Sequence, residues 1–277
     1  MCRNSKYGIG ISPEIDVKSP IVLMGDLYRA FETAKRHDYS GVEVHTSNYR
    51  TIPLQKILGL CMEFDMKIIS FSTGGNFVNN GLSLTSTDAL VRNEAVQCIY
   101  SYINAAKMLN AKVIIGTIRG NIGARTKTAY DNILKESLEK CIKRAERENV
   151  TLVFEAINRY EIDNYNNAAQ CIELIKELDS KCFKLHLDTF HMNIEESSLY
   201  DAILNSKEYL AHFHIADSNR MYPGAGHIDF SSVFSALCET GYSGYIVTEH
   251  FPTPNSEFAS KKAIDNMKEF NKMNKGY

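Results

Sequence analysis

A closed barrel of eight parallel strands wrapped by helices is the fold this sequence predicts, and three observations predict it. Eight apolar, β-branched runs recur along the 277 residues, at intervals near the roughly thirty residues that one βα unit occupies. Segments with helical periodicity separate the runs, which favours an all-parallel sheet covered by helices. Four acidic or imidazole side chains, Glu155, Asp188, His214 and Glu249, sit near the carboxyl ends of the fifth to eighth runs, where a (β/α)8 TIM barrel gathers its site residues. No G-x-G-x-x-G follows the first run, so an open dinucleotide-binding sheet loses its main support.

Taken in order, the strands are expected at 7–12, 41–46, 67–73, 112–118, 150–158, 183–191, 210–217 and 245–251. Between the third and fourth, Val91, Ala95, Cys98, Ile99, Tyr102, Ile103 and Ala106 fall at three- and four-residue steps, predicting an amphipathic helix over 89–109. A similar stripe predicts a helix over 130–149. The longest irregular stretches, 74–87 and 218–227, follow the third and seventh strands and are expected as lid or wall loops at the barrel mouth. Pro and Gly are few and no linker interrupts the pattern, so one domain is expected over 1–277.

Composition narrows the function. With 44% hydrophobic and 23% charged residues the chain can bury one sizeable core. A formal net charge of -2, with Lys and Arg scattered, argues against a nucleic-acid partner. The seven cysteines, Cys2, Cys61, Cys98, Cys141, Cys171, Cys182 and Cys238, stand singly with no C-x-x-C pair, which argues against disulfides or a thiolate zinc site. Neither a signal-peptide core nor a membrane-length apolar run is present. A cytoplasmic location and a small-molecule substrate are expected.

Period-two alternation sets the direction of the acids. In T-L-V-F-E-A-I-N-R-Y, Glu155 shares a face with Val153 and Ile157, opposite Leu152, Phe154 and Ala156. By the same rule His186 and Asp188 share a face, as do His212 and His214, and Glu249 goes with Tyr245 and Val247. Ionised carboxylates inside a barrel cost several kcal/mol each unless paired, and one divalent ion satisfies all four side chains together. Three carboxylates and one imidazole suit Mn²⁺, Mg²⁺ or Co²⁺ better than zinc, with manganese the first choice. Taken singly, His186 and His212 read as core histidines, and Glu43 reads equally as a salt-bridge partner or a site acid.

The strings F-E-A-I-N-R-Y-E, H-L-D-T-F-H-M-N-I-E-E, H-F-H-I-A-D-S-N-R-M-Y-P-G-A-G-H-I-D-F and Y-I-V-T-E-H resemble the sugar isomerase/epimerase barrels of the xylose-isomerase-like superfamily, closest to ketose 3-epimerases of the D-tagatose and D-psicose type. The resemblance implies that Glu155, Asp188, His214 and Glu249 hold the metal and that Glu155 and Glu249 are also the acid/base pair. It further implies that Arg220 lies near the reacting carbonyl, with Glu161 and His191 at the O1 end of the sugar. The expected reaction inverts C3 of a ketose through a planar cis-enediolate, with one carboxylate on each face. Assembly as a dimer or tetramer is also expected.

One segment departs from the free-ketose pattern. G-T-I-R-G-N-I-G-A-R carries Arg119 and Arg125 between glycines, and guanidinium groups beside exposed backbone N–H suit a carboxylate or phosphate. Arg119 is therefore expected to meet an anionic tail of the substrate, or else to pair with a neighbouring acid. Competing readings are an aldose–ketose isomerase or inosose dehydratase on the same barrel, an apurinic endonuclease, and a non-catalytic sugar-binding barrel. The endonuclease would need more histidine ligands and a basic groove, which eight histidines and this charge do not supply.

Overall fold

The computed structural model describes residues 5–16 and 18–273, and the eight expected runs form a closed parallel barrel. Its strands are β1 (Lys6–Ser12), β3 (Gly41–His45), β4 (Lys67–Ser72), β5 (Lys112–Ile115), β6 (Leu152–Glu155), β7 (Phe183–Asp188), β8 (Leu210–Ile215) and β9 (Tyr245–Thr248), with a two-residue strand β2 (Leu23–Met24) added beside β1. Strands pair in sequence order, and β1 pairing with β9 closes the ring. Gly8 permits that closure, because a Cβ there would lie 2.2 Å from Ile69 Cδ1.

Helices α1 (Leu27–Arg36), α2 (Leu54–Phe64), α3 (Gly74–Asn80), α4 (Ala89–Leu109), α5 (Lys127–Glu148), α6 (Ala168–Leu178), α7 (Thr189–Glu195), α8 (Leu199–Asn205), α9 (Phe230–Glu239) and α10 (Ser256–Met273) connect the strands. The 89–109 helix occurs as expected, buried through Ala95, Cys98, Ile99, Tyr102, Ile103 and Ala106. The helix expected from 130 starts three residues earlier, where Thr126 caps it by accepting from Ala129 N. Outward strand residues such as Leu152, Phe154, Leu185, Leu187, Phe213 and Ile215 join the sheet–helix core. Their alternates supply the barrel interior.

Two departures from the expected strands matter for the site. Four strands, β5, β6, β7 and β9, stop three residues short of the apolar pattern's end: β5 gives way to a 3-10 turn at Thr117–Arg119, and β7 to helix α7 at Thr189. Two register shifts also occur, so that Glu43 pairs with Ser70 rather than Ile69, and His186 pairs with His212 rather than Ala211. Each is a bulge that realigns polar side chains on the inner face. Cys61, Cys98, Cys141, Cys171, Cys182 and Cys238 are free thiols, and Cys2 lies outside the described residues. Among the described residues no helix is long and apolar enough to cross a membrane.

Candidate active site

A cavity of about 400 Å³ opens at the carboxyl ends of the strands, with His45, Glu155, Glu161, His191, Arg220 and Glu249 among its walls. Glu155, Asp188, His214 and Glu249 each offer a ligand atom there, all within 4.8 Å of one another. The sequence places them on four successive strand ends, and barrel closure brings them together. Gly116 makes room for the first of them, since a Cβ at that position would sit 2.7 Å from Glu155 Oε2.

The donor set fits a divalent ion. Asp188 caps α7 through Oδ1, which accepts from Phe190 N at 2.8 Å, while its Oδ2 is buried with no partner among the described residues. His214 turns Nε2 to Glu43, 2.9 Å from Oε1, and its buried Nδ1 is likewise without a hydrogen bond. Two orphaned acceptor atoms beside two carboxylates make a cation-binding group, because buried polar atoms are otherwise partnered. Glu155, Asp188 and Glu249, with Nδ1 of His214, would hold the ion.

The charges in this cluster are strongly shifted. Burial, then the neighbouring Glu249 carboxylate, push Glu155 well above the usual carboxylate range, and the same two causes push Asp188 up to about 7. Burial also works against ionisation of Glu249, yet the nearby His214 imidazole and the Arg220 guanidinium hold this acid well below its ordinary value. Two carboxyls on one site thus diverge, one proton-holding and one ionised.

Around the cluster, Arg220 takes the left-handed φ of 57° and donates to Glu161 Oε1 at 2.6 Å and Glu249 Oε2 at 3.2 Å. The guanidinium stacks over Phe190 at 4.6 Å. Its loop is anchored by Asp217, whose carboxylate accepts from the backbone N–H of Ser218, Gly224 and Ile228. Asn158 Nδ2 donates to His191 Nδ1 at 2.7 Å and to Glu161 Oε1 at 3.0 Å, while its Oδ1 accepts from Tyr160 N, which fixes the amide's orientation. His191 is therefore left with its proton on Nε2, 3.7 Å from Glu155 Oε1.

Arg119 is a correction. Rather than facing the cavity it is fully buried, donating to Asn164 Oδ1, to the carbonyls of Gly116, Asn164 and Tyr165, and lying over the Phe154 ring. Its donors are used by the chain itself, so none is presented to an anionic substrate tail. Arg125 is spent in the same way on the carbonyls of Ile122, Thr85 and Asn121. The glycines flanking both arginines read as an anion loop in sequence, but they serve a tightly folded turn.

Beneath the cluster lies a group that sequence reasoning left open. Glu43, fully buried, accepts from His45 Nε2 at 2.8 Å, His212 Nε2 at 2.7 Å, His214 Nε2 at 2.9 Å and from Ser70 Oγ. Burial works against the carboxylate, but these imidazoles hold it well below its ordinary value. Glu43 thereby fixes which nitrogen His214 turns to the cluster, as outer carboxylates do for metal-bound histidines. His212 and His186 are both buried in the core, but neither is the satisfied histidine expected: His212 gives only Nε2 to Glu43 and leaves Nδ1 without a hydrogen bond, and both ring nitrogens of His186 lack a hydrogen-bond partner among the described residues. His45 and Asn158 were missed, though G-V-E-V-H already puts Glu43 and His45 on one strand face.

Comparison with known proteins places this architecture. An L-ribulose 3-epimerase from Mesorhizobium japonicum is 32% identical over 186 residues, spanning 65% of this chain and 63% of that one. A D-psicose 3-epimerase from Ruminiclostridium cellulolyticum is 40% identical over 116 residues, 42% of this chain and 40% of that one. The matched stretches thus span under two thirds of these relatives' length. Among solved structures, the D-allulose complex of a D-allulose 3-epimerase from Methylomonas sp. superposes with a TM-score of 0.82 at 22% identity, covering 96% of this chain and 97% of that one. Residues 31–270 match the family described as the xylose isomerase-like TIM barrel, and the chain belongs to that family.

Proposed function

We propose that this protein is a divalent-metal-dependent epimerase that inverts C3 of a ketose. The observation that carries the reading is the convergence of Glu155, Asp188, His214 and Glu249 within 4.8 Å at the floor of a sugar-sized cavity. The similar proteins, an L-ribulose 3-epimerase and a D-psicose 3-epimerase, support the reaction class. Mn²⁺ is the ion that three carboxylates and one imidazole favour.

When bound, such an ion polarises the ketose carbonyl and neutralises the negative charge that develops on its oxygen. Glu249, ionised and held by Arg220, removes the proton from C3. The enediolate that results is planar, and Glu155, which holds a proton, delivers it to the opposite face. The roles exchange in the reverse direction. Arg220 and Nε2–H of His191 donate hydrogen bonds toward the substrate's oxygens near the reacting carbons, and Glu161 keeps Arg220 in place. With Arg119 and Arg125 committed to the chain, a neutral ketose suits the cavity better than an acidic or phosphorylated one.

Glu155→Gln and Glu249→Gln should each lower turnover by roughly a hundredfold or more while the protein stays folded. The assay is exchange of the C3 hydrogen with deuterated solvent, followed by NMR, with Mn²⁺ content measured in parallel. Wild-type rates in both variants would refute the two-carboxylate mechanism. Exchange at C1 of an aldose–ketose pair, or loss of water from an inosose, would move the protein to the isomerase or dehydratase reading.

A further inference from the structure

We propose that His45 is a substrate-binding residue, accepting a hydrogen bond from the C4 hydroxyl of the ketose and so helping to set sugar specificity. The proposal rests on the epimerase reading above. His45 ends β3 and lines the cavity. Its Nε2 is committed to Glu43 Oε1 at 2.8 Å, and because a carboxylate only accepts, that nitrogen carries the proton of the neutral ring. Nδ1 is then a bare acceptor. It lies 3.9 Å from Glu249 Oε1 and makes no hydrogen bond to any described residue. Two acceptors side by side at a cavity wall are complemented by a donor, and a sugar hydroxyl is one.

The barrel order says which hydroxyl. Counting around the ring, β3 stands diametrically across from β7 and next but one to β9. His191 and Glu161 follow β7 and β6 and flank the O1 end in the proposed binding mode, so His45 faces the opposite end of the sugar. Contact with Glu249, the group that works on C3, brings its Nδ1 to the adjoining carbon, C4. The pocket then carries an imidazole donor at one end, His191, and an imidazole acceptor at the other.

The test compares D-psicose with its 4-deoxy analogue in Mn²⁺-loaded protein. Wild type should favour the full sugar by about tenfold in kcat/KM, the scale of one hydrogen bond to a buried partner. His45→Gln keeps a polar group where Nε2 meets Glu43 but places nothing at Nδ1, so the preference should collapse to near one. His45→Asn puts its amide oxygen at the Nδ1 position and should restore most of it. Calorimetric binding of the same two sugars reads the ratio without turnover, so a wild type that epimerises no ketose breaks the epimerase reading while the binding ratio still decides His45. An unchanged preference in His45→Gln overturns the proposal. So does a second Mn²⁺ bound by wild type and lost in His45→Gln, which would make His45 a metal ligand with Glu43 and Glu249.

Discussion

At the scale of single residues, the proton inventory of the cluster makes metal binding depend on pH. Asp188 is pushed up to about 7, and Glu155 is also raised, by burial and the Glu249 carboxylate. Near neutral pH Asp188 is partly protonated, and a metal must displace that proton, so affinity for Mn²⁺ rises as pH climbs through 7 and falls below it. Calorimetric titration at pH 6.5 in buffers of differing ionisation enthalpy should register proton release on binding; an affinity flat between pH 6 and 8 contradicts this. The four clustered residues were legible in the sequence because alternation alone fixes the face of a strand side chain. His45 was not, since a histidine on an apolar strand looks the same whether it packs in a core or faces a pocket, and only Glu43 taking one nitrogen tells the two apart.

At the scale of elements, strand starts are legible and strand ends are not. The apolar pattern continues past Ile115 and Asp188 into a 3-10 turn and a helix, because loop residues at the barrel mouth are buried too. The stretch from 74 reads as irregular from its G-G-N composition, yet Gly74–Asn80 is helical and ends on Gly81 in the left-handed region; packing overrides propensity there. Arg119 shows the same lesson in polar form. It reads as a ligand for anions but ties the β5 turn to the segment around Asn164 and Tyr165. Arg119→Ala should therefore destabilise the fold, on the order of 3 kcal/mol, by leaving several buried carbonyls unpaired. Chemical denaturation measures it. A stable variant with a selective loss of affinity for acidic ketoses would return Arg119 to the substrate.

At the scale of the whole molecule, the ion should act as a cross-link among β6, β7, β8 and the segment after β9. Binding only the folded state at a hundredfold excess over Kd contributes about 2.7 kcal/mol, which for a protein of this size raises Tm by roughly 5–10 °C. Scanning calorimetry with Mn²⁺ and with EDTA checks it, and identical melting temperatures would mean that no ion bridges the strands. The sequence by itself determined the eightfold alternation of strand and helix, the inward face of each strand and the three acids and one imidazole at their tips, because those follow from local periods of two and three to four residues. Only the tertiary structure decided that Glu43 clamps three imidazoles, that bulges at Ile69 and Ala211 bring Ser70 and His212 level with their partners, and that Arg119 turns away from the pocket. Those outcomes depend on register and on which donors find acceptors across strands far apart in the chain, and no local pattern records either.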